Sequence, residues 1–246
     1  MRKPSEKLAR GLIRMSWSKK NLFIMHLRGN APPRMQNKSL FQQKWQAKKD
    51  TRGYHGAQLN ERQFLKSFST RLPTSNMRVA GQDTEKKYPP LAVNTFACLE
   101  RRLDFIVFRS CFAPSIWAAR QMVVHGKVSV NGKKVSAPSH LAQDGDIISV
   151  KPSAISFLHE ADPPNDNVPF VFKPKPFMQP FLFIPEYLEV NFNACSVVYL
   201  RDPISRPGKS EIPSPYPPET HALAREFYVG LKRKRKDRYN RWKRPF

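Results

Sequence analysis

The clearest pattern of apolar and polar positions runs from Leu99 to Val150. Leu99, Leu103 and Ile106/Val107 recur at helical spacing and predict a first helix. After Phe112, Ala113 and Pro114, Ser115 offers a side-chain oxygen to the free N–H groups of a second helix, which runs to His125 and has Gly126 placed to end it. Val128 and Val130 then alternate into Asn131-Gly132, a pair that tolerates the positive φ of a tight hairpin, and Val135 begins the return strand. A second turn at Asp144-Gly145 precedes a last strand, Ile147 to Val150.

Further along, Glu186 to Leu200 alternates in part through Leu188, Val190, Phe192 and Ala194, which predicts one or two strands. Glu219 to Lys232 carries Leu223, Phe227 and Leu231 at i, i+4 and i+8, an amphipathic helix. Between these and the first pattern, 14 of the 23 prolines lie from Pro152 to Pro218, which leaves short extended pieces and argues against a catalytic domain there. No internal repeat is visible.

Charge changes this picture. The 246 residues hold 43 Lys+Arg against 19 Asp+Glu, a net +24, so the chain seeks polyanions: nucleic acid or an anionic membrane before any small neutral ligand. By segment, residues 1–90 carry +15, 91–151 carry +4, 152–230 carry −3 and 231–246 carry +8. The run KRKRKDRYNRWKR continues past any helix cap and reads as an RNA-facing or solvated tail, with nuclear import as another use of such a run. The cluster Arg52, Gly53, Tyr54, His55 and Gly56 suits close approach to RNA, and a surface turn between two helices has the same composition.

The three cysteines, Cys98, Cys111 and Cys195, are too widely spaced for a C-x-x-C pair, so neither a four-Cys zinc site nor a disulfide framework is expected, and a reducing compartment fits. The longest apolar runs, such as Phe181 to Ile184, fall far short of the roughly 20 residues of a membrane span. From Met1 to Gly29, eight basic residues (Arg2, Lys3, Lys7, Arg10, Arg14, Lys19, Lys20 and Arg28) accompany one acid, Glu6, with Leu8, Leu12 and Met15 at helical spacing. That is the composition of a mitochondrial targeting segment, and equally of a basic arm kept to bind RNA.

The stretch Leu99 to Val150 resembles the RNA-binding module of the S-four family of small-subunit ribosomal proteins. ERRLD, FA, ARQ, HG, VNGKKV, PS and GDIISV stand in the family's order and spacing over about 50 residues, far more than a lone motif. Upstream, Tyr54 and Glu61-Arg62-Gln63-Phe64 resemble the bacterial stretch in which a tyrosine and glycine precede ERQF. The run from LARG to YHG looks like the fungal mitochondrial form, and VNGKKV is similar to the bacterial type, not the cytosolic eukaryotic one. The pairing implies an organellar origin and a mitochondrial location, in the matrix on the mitochondrial ribosome.

The resemblance implies an α+β fold: a basic, mainly helical N-terminal body over 1–94, an RNA-binding module of two helices on a small sheet over 95–151, a Pro-rich extended extension over 152–218, and a basic helix and tail over 219–246. Its implied partners are small-subunit ribosomal RNA, at a multi-helix junction in the 5′ part, and neighbouring small-subunit proteins, with no membrane span, small-molecule substrate, metal or cofactor. The implied role is structural, early in assembly and near the messenger entrance. The candidate RNA contacts are Arg102, Arg109, Ser115, Arg120, Gln121, His125, Lys127, Asn131, Lys133 and Lys134 in the module. Arg52, Tyr54, His55 and Arg62 join them upstream, and Lys232, Arg233 and Arg235 in the tail.

Other uses compete for several of these. His125 can cap the second helix, while Gln121, Asn131, Pro138 and Ser139 can position the hairpin. Arg102 and Asp104 echo the RLD motif of pseudouridine synthases, some of which carry such a module, although an ion pair or a cap is the simpler use. An RNA-modifying or RNA-chaperone protein carrying the module is therefore the alternative function, and its mark would be a second domain with paired catalytic residues. The chain also departs from the family in having Ile116 and Trp117 where a basic residue usually follows the capping Ser or Thr. Trp117 can stack on RNA or pack on protein.

Overall fold

A computed structural model describes residues 12–28, 37–68, 95–160, 170–203, 205–206 and 209–242. The fold is α+β and divides into two compact units, each built from two separate chain segments: residues 1–28 with 99–203, and residues 29–98 with 204–246. These units cut across the linear segments expected from sequence. No helix among the described residues is long and apolar enough to cross a membrane.

The first unit is organised by a five-stranded antiparallel sheet. Its strands are β1 (Val128–Val130), β2 (Lys133–Lys134), β3 (Ile147–Val150), β6 (Leu188–Asn191) and β7 (Ser196–Tyr199), in the order β2-β1-β3-β7-β6; β4 (Leu158–Glu160) and β5 (Phe170–Phe172) form a separate ladder. The reason is alternation: Val128, Val130, Ile148, Val150, Val197 and Tyr199 are buried while their neighbours along each strand are not. Asn131 (φ 48°) and Gly132 (φ 78°) make the tight turn, so the return strand starts at Lys133, two residues before the expected Val135. The Pro-rich region is thus not only an extension, because its β6–β7 hairpin pairs with β3 through Ile148 and Val197.

Two helices accompany this sheet, Leu103–Arg109 and Ile116–Val124. Ser115 caps the second by accepting the Ala118 N–H at 3.2 Å, and Gly126 follows its end at φ 65°. The expected single stripe from Leu99 is broken: a short helix, Ala97–Glu100, ends before Arg102, which bridges to Leu141 in extended backbone. Phe112, between the two helices, meets Phe192 of the β6–β7 turn edge-on at 5.9 Å.

Residues from Leu12 belong to this unit as well. Ile13 and Met15 are buried in non-helical backbone, and the helix begins only at Lys19, running to Arg28. The spacing read from Leu8 therefore predicted helix too early; Leu8 itself lies outside the described residues. Asn21 ties the turn by donating to the carbonyls of Arg14 (2.7 Å) and Ser16 (2.8 Å). Leu22 packs with Phe157 and Met178, against Trp17, Phe172, Phe177 and Phe181. Most of the phenylalanines of the Pro-rich region are consequently spent on this protein's own core, and Phe183 stays exposed.

The second unit pairs Leu40–His55 with the long helix Pro218–Trp242, and Glu61–Ser67 completes it. Ser39 and Gln42 form a reciprocal capping box at the start of Leu40–His55. The buried side of the long helix is Thr220, His221, Ala224, Tyr228 and Val229, while Leu223, Phe227 and Leu231 are half-buried beside it. The bulky stripe visible in the sequence is the flank, because a histidine, a threonine and an alanine occupy the close-packed face.

Candidate nucleic-acid interface

In the module, the exposed groups are those of the second helix and the hairpin. Gln121, Val124 and His125 lie on one exposed side of Ile116–Val124 and its cap, with Arg120 half-buried beside them. Lys127, just before β1, and Lys133 and Lys134 of β2 are exposed. Lys151, which sequence reasoning did not single out, donates its backbone N–H to the Lys127 carbonyl at 3.0 Å and adds a fourth exposed lysine. Only the strand register, which sets residue 151 opposite residue 127, could have found it.

Other expected contacts serve the fold instead. Arg109 is 5% exposed, and two of its guanidinium nitrogens donate to the two oxygens of Glu100, each at 3.0 Å. The Tyr187 hydroxyl donates to the same carboxylate at 2.9 Å, and burial pushes that phenol well above its usual range. A guanidinium held this way inside the core is not offered to phosphate. Arg102 donates to Asp104 at 3.0 and 2.9 Å. Burial raises the Asp104 carboxyl above its ordinary value, and the Arg102 and Arg120 charges pull it back. Ser115 is committed to its cap.

Asn131 is a positioning residue. Its amide nitrogen donates to Asp146 Oδ1 at 2.8 Å, and its amide oxygen accepts the Ile147 N–H at 2.9 Å. Asp146 in turn accepts the Gln143 N–H at 2.7 Å, so the hairpin turn and the Asp144-Gly145 turn are fastened together. Trp117 is half-buried with the Arg14 guanidinium 5.9 Å from its ring centre, a cation–π contact within the protein.

In the second unit, the expected cluster is a core. Tyr54 and His55 are buried, and the His55 ring nitrogen Nε2 lies 3.3 Å from both Ser214 Oγ and His221 Nε2. Arg52 pairs with Glu61 at 2.6 Å and donates to the Leu59 carbonyl at 2.7 Å. Lys232 donates to the carbonyls of Lys66 and Phe68, at the end of the Glu61–Ser67 helix where cations are favoured. Arg62 and Arg233 are exposed. Arg235 lies in the long helix, with its side chain outside the described groups.

The chemistry of this surface is electrostatic. Among the described residues, no group of three or more His, Cys, Asp or Glu is arranged to hold a metal ion. Burial pushes the Cys111 thiol up to about 12, which keeps it protonated and unreactive at neutral pH. Exposed lysines and an arginine on a preformed helix–hairpin surface suit a polyanion of defined shape.

Comparison with known proteins bears on which polyanion. The S4 domain model matches residues 101–148. Small ribosomal subunit protein uS4m of Schizosaccharomyces pombe is 36% identical over 267 aligned positions, covering 90% of this chain and 79% of that protein. Small ribosomal subunit protein uS4 of Gluconobacter oxydans is 33% identical, covering 79% of this chain and 80% of the relative. The uS4 protein of a Ruegeria species is 31% identical, with 71% and 76% covered.

Proposed function

Since the chain belongs to the uS4 family of small ribosomal subunit proteins, we propose that it is a structural constituent of the mitochondrial small subunit, which folds and holds ribosomal RNA and catalyses no reaction. The observation that carries this is the exposed set Gln121, His125, Lys127, Lys133, Lys134 and Lys151, with the half-buried Arg120 beside them, on a module fastened by Asn131 and Asp146. Arg62 and Arg233 are exposed cations of the second unit. Cations at fixed positions release counterions from phosphates and lower the repulsion between converging RNA helices. The RLD segment supports a structural role too: Asp104 is fully buried and held by Arg102, out of reach of any nucleobase.

Neighbouring small-subunit proteins meet the region 152–218, whose wider segment 152–230 carries −3 and would be repelled by phosphate. Phe183 and Ile184 are exposed there as apolar anchors.

The test is sedimentation of the endogenous protein. It should travel with the small subunit of purified mitochondrial ribosomes and leave it at high salt, and a protein found only in free fractions would end the proposal. Crosslinks from positions 170–185 in the same particles should reach protein; crosslinks mainly to RNA would remove the neighbour assignment.

A further inference from the structure

The first turns of the helix Leu40–His55 carry an arrangement that none of the roles above uses. Leu40, Phe41 and Trp45 are 59%, 67% and 43% exposed, unusually open for large apolar side chains placed together. Phe41 and Trp45 stack with ring centres 6.1 Å apart and planes within 19°. Trp45 is anchored from below: Phe227 meets it edge-on at 5.7 Å, and Lys48 Nζ sits 4.9 Å from its ring centre. Phe41, one turn earlier, is the outward ring of the pair.

The backbone beneath these rings is fixed. Ser39 Oγ accepts the Gln42 N–H at 3.3 Å, Gln42 Oε1 accepts the Ser39 N–H at 3.1 Å, and Gln43 donates to the Lys38 carbonyl at 3.0 Å. A helix start secured at three points holds its aromatic side chains on a rigid frame, so a planar ligand can stack with little loss of conformational freedom.

The surroundings decide what that ligand is. Lys38 and Lys49 are exposed, Lys44 and Lys48 are half-buried, and Phe227, Leu231 and the exposed Lys234 follow on the long helix at i, i+4 and i+7. Among the described residues Glu226 is the acid of this patch, and it is paired with Lys44 at 2.8 Å. The cores of protein–protein interfaces are depleted in lysine, whereas aromatic rings interleaved with cations are how single-stranded nucleic acid is held. A base inside a duplex has no free face, so only an unpaired nucleotide fits.

We infer that Phe41 and Trp45, rimmed by Lys38, Lys49 and Lys234, form a stacking platform for an unpaired base of ribosomal RNA. The inference rests on the ribosomal reading above and adds to it a second contact, on the second unit, of a different physical kind. Stacking is largely insensitive to salt, whereas phosphate neutralisation is not.

Two measurements test it. Intact small subunits are irradiated at short wavelength and digested with trypsin, and the peptides Ser39–Lys44 and Trp45–Lys48 are examined for attached nucleotide. An adduct on either supports the platform. Both peptides recovered unmodified, or joined to protein, while module peptides carry RNA, overturns the platform alone; no adduct anywhere in the chain overturns the platform and the RNA-facing assignment of the module together, and absence of the chain from the subunits overturns the ribosomal reading. In the second measurement, the full chain is titrated with a transcript of small-subunit ribosomal RNA. Phe41→Ala should weaken binding about 5- to 150-fold with an unchanged salt slope, and Phe41→Tyr should bind within about twofold of the parent. Parent-like binding by Phe41→Ala, or a lowered salt slope, would refute the platform.

Discussion

Asn131 and Asp146 are joined side chain to side chain at 2.8 Å, and through that bond two turns 13 residues apart in sequence, at Asn131-Gly132 and Asp144-Gly145, move as one. Replacing Asn131 by Ala removes this bond, leaves the Ile147 N–H without its side-chain acceptor, and puts a residue disfavoured at φ 48° into the turn. The variant should lose about 1–3 kcal/mol by chemical denaturation. It should also bind ribosomal RNA more weakly, although no charge has changed. Unchanged stability would show that the turns hold their places without the bond.

Arg120, Lys133 and Lys134 stand for the charged surface of the module. The triple variant with Ala at each position should stay folded, with a small loss of stability because the Arg120 charge also acts on the buried Asp104 carboxyl. It should bind RNA with a salt slope lower by up to about three units, roughly one for each lost phosphate contact. Titration at several salt concentrations measures this. An unchanged slope would turn the RNA-facing assignment of these residues away.

Glu100 accepts from both Arg109 and Tyr187 inside the first unit. Glu100→Ala strands a buried guanidinium without its carboxylate and should cost about 3–5 kcal/mol in urea unfolding. A loss below about 1 kcal/mol would mean that water reaches the site and that Arg109 is available to phosphate after all.

Gly56 marks a close approach between chain segments. A Cβ built there would come within 2.5 Å of Phe64 Cε2, and Phe64 is fully buried among Phe68, Phe96 and Tyr228. Gly56→Ala should therefore destabilise the second unit by about 1–3 kcal/mol through overpacking, visible as a lower thermal midpoint. Phe64→Leu in the same chain should return part of the loss, because the ring is the obstacle.

His221 is buried and neutral. Its Nδ1–H donates to the Pro217 carbonyl at 3.0 Å, while Nε2 faces Ser214 Oγ at 3.0 Å and His55 Nε2 at 3.3 Å. Burial holds its pKa below the ordinary 6.5, opposed by the Pro217 bond. The unfolded chain therefore takes up a proton before the folded one does, and stability contributed by the neutral ring is lost as pH falls through 6.5 toward the depressed value. Denaturation midpoints should drop over that interval, and His221→Gln should flatten the curve. A midpoint independent of pH there would refute the assignment.

The parts of this molecule that were legible in its sequence are those written in short-range signals. Ser115 at a helix start, Gly126 at its end, Asn131-Gly132 in a hairpin and the strand Ile147–Val150 each need only a few residues of context. What was misread depends on partners far away. Tyr54 and His55 looked like RNA contacts because their cover, Tyr216, Ser214 and His221, comes from a segment about 160 residues later. Arg109 looked like a surface cation because Glu100 lies across a helix break that the apolar stripe concealed. The joining of β7 to β3 was likewise invisible, since a strand's neighbour is decided by register and burial over long distances, not by its own alternation. Phe41 and Trp45 were passed over because exposure is a property of the packed helix pair.

Because each unit is made of two separate chain segments, the chain order also sets an order of events as the protein emerges, N-terminus first, from the machinery that makes or imports it. Residues 12–203 contain everything the first unit is seen to use, so it can close before Pro218–Trp242 has emerged. The helix Leu40–His55 has no such freedom. Its partner, Pro218–Trp242, emerges much later, and until then Tyr54, His55 and Phe64 have nothing to pack against from that helix. Anything that shields this waiting helix, a chaperone or the RNA itself, would act in the interval between the emergence of residue 55 and that of residue 218.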